Sequence, residues 1–283
     1  MRTKEKLDQF TNEGLLIAPY LSAELAEYCR SIDLAFIDTA GNAYINQPEL
    51  YIFVQGLKEE NPQLRPRTET VMGSPSAMKI IFALLSRPNL ITASFRTMAE
   101  EANVAFSMVG DILSLLERRG FLINSKSKKT RKLTHPLELL DEWIVSFSHS
   151  LIPKLNVRRF SCSDQHWWQS VQLDSAQAQW GGEIAAQRLT NYIKPASQTI
   201  YSNKEAMSTI MNTLVKKFRL RADPTGAIEM RERFWNFTMD SEYADVAPPA
   251  LVYADLIATL DPRNAEVAKM IKEKFIDETF NQI

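Results

Sequence analysis

Residues 95–133 have the pattern of two short helices joined by a tight turn and followed by a β-hairpin. In a helix-turn-helix, the first helix needs a small residue where the second crosses it, and the turn needs a residue that tolerates a positive φ. Ala99 suits the crossing and Asn103 suits the turn. Apolar residues occupy the offsets that lock the two helices: Met98, Ala102, Val104, Val109 and Ile112. We therefore predict a winged helix-turn-helix over residues 77–134.

The hairpin that forms the wing is strongly basic, although the whole chain has a net charge of −1. Residues 118–132 hold seven cations and no acid, so the rest of the chain has 26 basic and 34 acidic residues. Five of the seven cations lie between Lys126 and Lys132, in a short polar loop that is not expected to bury them. Because like charges repel unless anions are near, we predict that the wing contacts nucleic-acid phosphates.

The predicted recognition helix, Ser107–Arg118, is poor in side chains that read bases. Its outward positions lack Arg, Asn and Gln, the residue types that form paired hydrogen bonds with purines. Specificity is then expected to depend on a homodimer, on DNA shape or on the wing entering the minor groove. The candidate DNA-contacting residues are Arg96, Ser107, Met108, Arg118, Arg119, Lys126, Lys128, Lys129, Arg131 and Lys132.

Composition and pattern divide the chain into three predicted domains, at residues 1–70, 71–150 and 151–283, and give an α+β multidomain fold. The first is a small α/β domain and linker with a predicted order of strand, helix and three strands; a degenerate restriction-endonuclease-like core is one interpretation. The second holds the winged helix and a further helix, Leu137–Phe147. The third is an α/β domain with predicted strands Arg159–Cys162, Thr199–Tyr201 and Ile228–Arg231 and helices Glu183–Tyr192, Glu205–Arg219, Ala250–Leu260 and Asn264–Ile276.

No motif predicts catalysis, a metal or a cofactor. Cys162 and His166 are four residues apart, but no third and fourth ligand has a matching spacing. A phosphate at the helix that begins near Gly182 and Glu183 is one hypothesis, and a tight turn with Glu183 at the helix dipole is the simpler one. Asp38 suits a nuclease strand, but no acid lies two residues before Lys58 on the neighbouring strand, so Asp38 is more simply a turn former.

Long apolar segments are absent, which argues against a membrane-spanning protein. No run of eighteen apolar residues occurs, and the charged start of the chain lacks the apolar core of a signal peptide. The two cysteines, Cys29 and Cys162, are far apart in sequence. We expect a protein of the reducing cytoplasm, without a disulfide framework.

The ordered motifs of the chain resemble the AbiEi-like antitoxins of type IV (abortive-infection) toxin–antitoxin systems, a family of transcriptional regulators. Together with the winged helix at 77–134, the resemblance includes residues Phe36–Ile45, Trp180–Ala186, Leu189–Thr190, Lys194–Pro195, Ile200–Tyr201, Phe234–Trp235, Pro248–Leu256 and Asp261–Asn264. It differs from the simplest pattern of the family because a further domain precedes the winged helix. Aromatic residues of these motifs, Trp180, Phe234, Trp235 and Tyr253, are expected in the core. Asp255 is expected to cap a helix or to pair internally, and Arg263 is expected to form a local ion pair.

The resemblance implies two activities. The winged helix would bind double-stranded DNA at the promoter of its own operon and repress it, and the C-terminal domain would counter a nucleotidyltransferase-like toxin. Two other functions stay open on the residues alone. One is a protein- or RNA-interaction module whose wing contacts an acidic partner or RNA, and the other is a metal-dependent nuclease.

Overall fold

The computed structural model describes residues 14–18, 20–56, 74–125, 130–239 and 242–281. The chain divides into two compact units, residues 1–68 and 69–283, which we call the N-terminal unit and the main unit. The described residues form three sheets together with helices in both units, so the fold is mixed α+β. Among these residues, no helix has both the length and the apolar character needed to cross a bilayer.

The N-terminal unit is a four-stranded sheet with one helix. Its elements are β1 (Leu16–Ala18), α1 (Ala23–Ser31), β2 (Phe36–Asp38), β3 (Ala43–Gln47) and β4 (Leu50–Val54). The strands lie side by side in chain order; β1 is parallel to β2, and the other neighbours are antiparallel. Ser22 caps α1 by accepting a hydrogen bond from the Leu25 N–H at 3.3 Å. The predicted order of one strand, one helix and three strands is confirmed.

The main unit begins with three helices and a two-stranded hairpin, which we call the helix–hairpin segment. Its elements are α2 (Pro75–Ser86), a 3₁₀ turn (Pro88–Thr92), α3 (Phe95–Glu101), α4 (Ser107–Arg118), β5 (Leu122–Ser125) and β6 (Thr130–Leu133). Helix α2 begins two residues earlier than predicted because Ser74 accepts a hydrogen bond from the Ala77 N–H and Pro75 takes the first helical position. The other two helices lie where the apolar spacing predicted them.

The turn between α3 and α4 has the predicted geometry. Asn103 has a φ of 53°, and the next N–H, that of Val104, donates to the Ala99 carbonyl at 3.0 Å. Gly120, with a φ of 80°, ends the last turn after α4. The apolar offsets are filled as expected, since Met98, Val109 and Ile112 are all buried. The asparagine in the turn therefore sets the crossing of the two helices, as the sequence suggested.

The rest of the main unit is a five-stranded sheet with helices packed around it. Its helices are α5 (Pro136–Ser146), α6 (Gly182–Thr190), α7 (Lys204–Phe218), α8 (Pro249–Ile257), α9 (Pro262–Ile271) and α10 (Asp277–Asn281). Its strands are β7 (Arg158–Ser161), β8 (Ala178–Gly181), β9 (Gln198–Ser202), β10 (Arg221–Ala222) and β11 (Ile228–Glu232). The strand order is β10-β7-β11-β9-β8, with β9 and β11 parallel and the other neighbours antiparallel.

Two strands and two helical irregularities were missing from the sequence prediction. Strand β8 contains a glutamine and a glycine, and it is extended because it pairs with β9 along its whole length. Strand β10 has only two residues. The predicted helix Asn264–Ile276 is α9 followed by a π-helical turn at Lys272–Ile276, and a second π turn at Phe147–Leu151 follows α5.

One hydrophobic core joins the helix–hairpin segment to the five-stranded sheet. The ring of Phe82, on α2, lies 5.3 Å from that of Trp143 on α5 and 4.9 Å from that of Phe234, which follows β11. Asn236 adds a polar connection, because its backbone N–H donates to the Glu101 carbonyl and its side chain donates to the Glu100 carbonyl. The end of α3 is therefore held by a segment from the far side of the sequence.

Most of the aromatic motif residues lie where they were expected. Trp180, Phe234 and Trp235 are fully buried in this shared core, whereas Tyr253 is only partly buried against it.

Candidate nucleic-acid interface

The start of α4 presents few polar groups to a ligand. Phe106 is 59% exposed and Ser107 is exposed, but Met108 is half-buried and packs against the core. Asp111 is exposed one turn further along. An exposed acid on this helix opposes phosphate, and the surface offers no paired donor to a base. The structure therefore supports the prediction that α4 is poorly equipped to read bases.

Arg96 is the exposed cation nearest to the turn. It lies on α3 and makes no hydrogen bond or ion pair with another residue that the structure describes. Arg96 borders an open cavity of about 420 Å³ that is also lined by Asn103, Phe106 and Asn236. A long, unengaged guanidinium at this position can reach an anion in front of the turn.

The two arginines at the end of α4, Arg118 and Arg119, are both exposed. Arg119 forms a bidentate pair with Glu142 on α5, with N–O distances of 2.8 and 2.9 Å, and its guanidinium lies 5.4 Å from the centre of the Phe121 ring. Arg119 thus connects α4 to α5, and an anion would have to compete with this carboxylate.

The hairpin corrects one expectation about the wing. Lys126, Lys128 and Lys129 lie outside the described residues. Lys132 is exposed on β6, opposite Ile123. Arg131 is half-buried: it donates to the Ala93 carbonyl at 2.6 Å and lies 5.1 Å from the centre of the Phe95 ring.

Burial lowers the pKa of Arg131. The expectation that all five wing cations stay exposed is therefore wrong for Arg131, because this side chain fastens β6 to the segment before α3.

Helix α6 begins at a buried carboxylate, and this overturns the hypothesis of a phosphate at its N-terminus. Asp255, on α8, accepts hydrogen bonds from the Gly182 N–H at 3.0 Å and the Tyr201 hydroxyl at 2.9 Å, and it pairs with Arg231 at 2.7 Å. Burial raises the pKa of the Tyr201 hydroxyl well above its ordinary value, so it serves as a donor. Asp255 thus takes the position that an anion would need.

Arg231 supplies the positive charge that balances the buried Asp255 carboxylate. It also pairs with Glu229, at 2.6 Å. Although burial opposes the charge, the negative charges of Asp255 and Glu229 raise the pKa of Arg231, so it stays charged. The internal pairing expected for Asp255 is confirmed.

A second buried carboxylate, that of Glu183, joins three of the motifs that support the family resemblance. It lies in the first turn of α6 and accepts hydrogen bonds from the Ala196 N–H at 2.6 Å and from the Asn264 amide at 3.1 Å. Arg263 pairs with it at 3.1 Å and also donates to the Lys194 carbonyl. Arg263 therefore has two acidic partners. One is Glu183, which is eighty residues away in sequence, and the other is the nearby Asp261.

The N-terminal unit uses Asp38 as a structural turn former. One carboxylate oxygen accepts from the Asn42 N–H at 2.8 Å, and the other accepts from the Leu21 N–H and the Asn42 amide at 2.9 Å each. Burial alone would raise the pKa of Asp38, but these donors outweigh that effect and lower the pKa below its ordinary value. Because both oxygens are engaged in the turn, the residue that suggested a nuclease has an internal role.

The cysteine and histidine pair also has a local explanation. The Cys162 thiol donates to the Phe218 carbonyl at 3.4 Å. Within the residues that the structure describes, no three side chains among His, Cys, Asp and Glu are grouped so as to hold a metal ion.

A protein-family model described as "Transcriptional regulator, AbiEi antitoxin, Type IV TA system" matches residues 132–277, which is more than half of the chain. The chain therefore belongs to the AbiEi family of regulators and antitoxins of type IV toxin–antitoxin systems. No curated protein and no solved structure matches the chain.

The matched range begins in β6 and ends in α10, so it contains the whole five-stranded sheet together with the Glu183 and Asp255 pairs. It excludes α2, α3 and α4. Sequence reasoning missed Asn236 and the structural role of Arg131, because both depend on contacts between residues distant in sequence. No periodicity or spacing in the sequence signals such contacts.

Proposed function

We propose that the chain is a DNA-binding regulator that represses its own operon, and that its helix–hairpin segment is a winged helix-turn-helix. The observation that carries this proposal is the turn itself, with Asn103 at positive φ between two helices locked by Met98, Val109 and Ile112. A hairpin follows at once. This order of elements lets α4 enter a major groove while the wing lies along the phosphates.

The cations of this segment are proposed to contribute affinity more than sequence reading. Arg96, Arg118 and Lys132 are exposed around the turn and hairpin, and Lys126, Lys128 and Lys129 lie between the two strands. Arg119 and Arg131 are weaker candidates because each already binds a protein group. Ser107 is the remaining candidate for a base contact, and binding by two copies or readout of DNA shape would supply the rest of the specificity.

The family membership supports the second part of the proposal. We infer that the region from about residue 151 to 283 counters a toxin, as the antitoxin family implies, and that this toxin is a nucleotidyltransferase-like protein. The buried pairs of Glu183 and Asp255 hold the family's motifs together inside this region, so they provide architecture for that activity. Because these pairs are buried, we infer that the toxin contacts other, exposed residues of this region.

Fluorescence anisotropy with the duplex upstream of the chain's own gene tests the regulatory proposal. Binding is expected to weaken steeply between low and physiological salt, because cations displace counterions from the phosphates. The triple variant Lys126→Ala/Lys128→Ala/Lys129→Ala should lower the slope of log affinity against log salt by roughly two to three. Lys269→Ala, which removes an exposed cation from α9, is the matched control and should leave the slope unchanged.

Two outcomes would contradict this proposal. The first is equal affinity for the upstream duplex and for a scrambled duplex of the same composition at physiological salt, since an autorepressor must discriminate. The second is a slope that does not respond to the triple variant.

A growth assay tests the antitoxin proposal separately. A nucleotidyltransferase-like gene adjacent to this one is expressed with or without the chain, and rescue of growth is expected. Arg96→Ala, which should weaken only DNA binding, is expected to rescue as well as the unaltered chain. Failure of both proteins to rescue would overturn the antitoxin role and leave the regulator intact.

A further inference from the structure

A second basic surface lies in the five-stranded-sheet region, away from the helix–hairpin segment. Lys216 and Lys217 occupy the last turn of α7, Arg219 follows it, and Arg221 lies on the edge strand β10. All four side chains are exposed, and residues 216–221 contain no acid. Among the residues described, none of the four has an ion-pair partner. We call these four residues the α7–β10 surface.

Ordinary structural reasons explain only part of this charge. The two lysines are favoured by the negative end of the helix dipole, and a charge on an edge strand discourages unwanted pairing. Neither reason requires Arg219, whose φ of 56° is unusual for a residue with a long side chain. Four cations in six residues repel one another unless an anion is present.

The α7–β10 surface lies at the opposite end of the sheet from the helix–hairpin segment. The parallel strands β9 and β11 end close to α3. The Arg233 N–H donates to the Ser202 carbonyl at the end of β9, and the Asn236 N–H donates to the Glu101 carbonyl at the end of α3. Helix α7 starts just after that end and runs back along the sheet. Its last residue, Phe218, accepts a hydrogen bond from Cys162 beyond β7. One DNA duplex on α4 is therefore not the expected partner of these cations.

A pocket of about 270 Å³ adjoins the surface. Ser161, which lines it, is the register partner of Arg221, and Cys162, which also lines it, contacts the end of α7. The volume is below the ~300–1,000 Å³ of pockets that hold drug-sized ligands, and it suits a single ring system. The pocket and the α7–β10 surface are therefore neighbours at the same end of the sheet.

The pocket contains an amide whose hydrogen bonds are weak. Gln198 is only 6% exposed, yet its oxygen accepts from the Trp167 indole at 3.5 Å and its nitrogen donates to the Ala196 carbonyl at 3.4 Å. Good hydrogen bonds of this kind are near 2.9–3.0 Å. A buried amide with loose partners has donor and acceptor capacity left for a ligand that carries both groups.

The chemistry of these parts selects the ligand. A nucleobase is flat and has an edge with a donor and an acceptor, which match the Gln198 amide that lines the pocket. The carboxylate of Asp164 also lines the pocket, accepts from the His166 N–H and adds an acceptor for a base amino group. Phosphates on either side of that base would meet the exposed cations.

We propose that the α7–β10 surface and its pocket bind single-stranded nucleic acid, with one unstacked base in the pocket and the phosphodiester backbone on Lys216, Lys217, Arg219 and Arg221. A base within a duplex is stacked and paired and does not enter the pocket, so single strands bind and duplexes do not. This site is independent of the DNA-binding role proposed for α4 and the wing.

Fluorescence anisotropy with labelled oligonucleotides of about twelve residues, a length within the usual site size, tests the proposal. Single-stranded RNA, single-stranded DNA and a duplex are titrated with the full chain, and the two single strands identify which backbone is preferred. Arg219→Glu/Arg221→Glu should weaken single-strand binding at least about tenfold at low salt. The matched control is Lys204→Glu/Arg158→Glu, which makes the same charge change at the other end of the sheet and should have an effect below about twofold.

The pocket is tested by Ala227→Phe, a substitution at an exposed position that lines it. It should weaken binding of an intact single strand severalfold and leave an abasic strand unaffected. Circular dichroism confirms that each variant is folded. Two results would overturn the proposal. One is an equal loss of single-strand affinity in the two charge-reversal variants. The other is single-strand binding that Arg96→Ala abolishes but Arg219→Glu/Arg221→Glu does not.

Discussion

Charged residues have opposite roles in two regions of the main unit. In the sheet region, Glu183 and Asp255 are buried, the Arg231 side chain is only 11% exposed, and each has several partners within hydrogen-bond distance. In the helix–hairpin segment, Arg96, Arg118 and Lys132 are exposed. A buried charge that loses its partner costs several kcal/mol, whereas an exposed charge contributes little to stability. The motif residues that carry the family resemblance therefore hold the fold, and ligands are to be sought among the exposed cations.

The largest effect on stability is expected for Arg231→Ala. This change leaves the buried Asp255 without its cation, whereas the half-buried Glu229 keeps Arg159 as a partner, and it should lower the free energy of unfolding by about 3–5 kcal/mol. Urea denaturation followed by tryptophan fluorescence measures it. Arg221→Ala, on the exposed end of the sheet, is the control and should stay within about 0.5 kcal/mol. A loss at Arg231 no larger than that at Arg221 would contradict the structural role of the buried pair.

A smaller loss is expected for Gly181→Ala, at the point where β8 meets α6. A Cβ at this position would lie 2.5 and 2.8 Å from atoms of the Tyr201 ring and 3.0 Å from Asp255. Because the site is buried, the overpacking should cost about 1–3 kcal/mol in thermal or urea unfolding.

A second glycine provides the matched control for this prediction. Gly110 lies inside α4, where a Cβ would meet only the Phe95 ring at an ordinary 3.6 Å. Gly110→Ala should stabilise the chain by about 0.5–1 kcal/mol through helix propensity. If both alanines destabilise to a similar extent, close packing around Gly181 is not the cause.

In the N-terminal unit, the buried carboxylate of Asp38 is expected to make a contribution to stability that depends on pH. Asp38→Asn should cost that unit about 1–2 kcal/mol at pH 7, because the charged acceptor of three hydrogen bonds is lost. Since folding lowers the pKa of Asp38, its contribution is complete above its ordinary value of about 4 and disappears as the pH falls through the folded value.

Hydrogen exchange of peptides from residues 36–47, measured by mass spectrometry, reports on this unit within the full chain. The difference between the unaltered chain and Asp38→Asn should shrink as the pH is lowered below about 4. Asp33→Asn, which removes the charge from the acceptor of the Tyr44 hydroxyl at a more exposed position, is a useful control with a smaller expected effect. A difference that persists unchanged to acid pH would rule out the carboxylate as its source.

The smallest effect on stability is expected for Arg96→Ala, which should change the free energy of unfolding by less than about 0.5 kcal/mol. Its effect on DNA is expected to be larger: affinity for the upstream duplex should fall severalfold at low salt, and the salt slope should decrease by roughly one. Parallel denaturation and anisotropy titrations compare the two. A destabilised variant with normal DNA affinity would reverse the assignment of this exposed cation.

Local features of the fold were predictable because they depend on neighbouring residues. Asn103 was expected to take positive φ, and it does so because short-range sterics and backbone hydrogen bonds determine this position. Ser22 at the start of α1 and Gly120 after α4 are determined in the same local way. Apolar spacing also predicted α4 at its observed bounds. The strands β9 and β11 were recognisable from their apolar runs, although each extends a residue or more beyond the prediction.

Features that depend on tertiary contacts were not predictable. Arg131 reads as one more wing cation, and only the fold places it beside Phe95 and the Ala93 carbonyl. The pair between Glu183 and Arg263 joins residues eighty positions apart. Strand β8 has little strand character of its own and is extended by pairing with β9. The basic cluster at the wing was visible in the sequence, but which of its members are available to a ligand was not.

The contact of Phe82 with Trp143 and Phe234 has a consequence for how the gene can be dissected. A fragment that stops near residue 150 would retain Phe82 and Trp143 but lose Phe234 and Trp235, and it would present bare aromatic rings to solvent. The complementary fragment would be left with the other half of the same core. Truncation is therefore a poor way to separate the two proposed activities, and point substitutions on the surface of the chain are the better genetic tool.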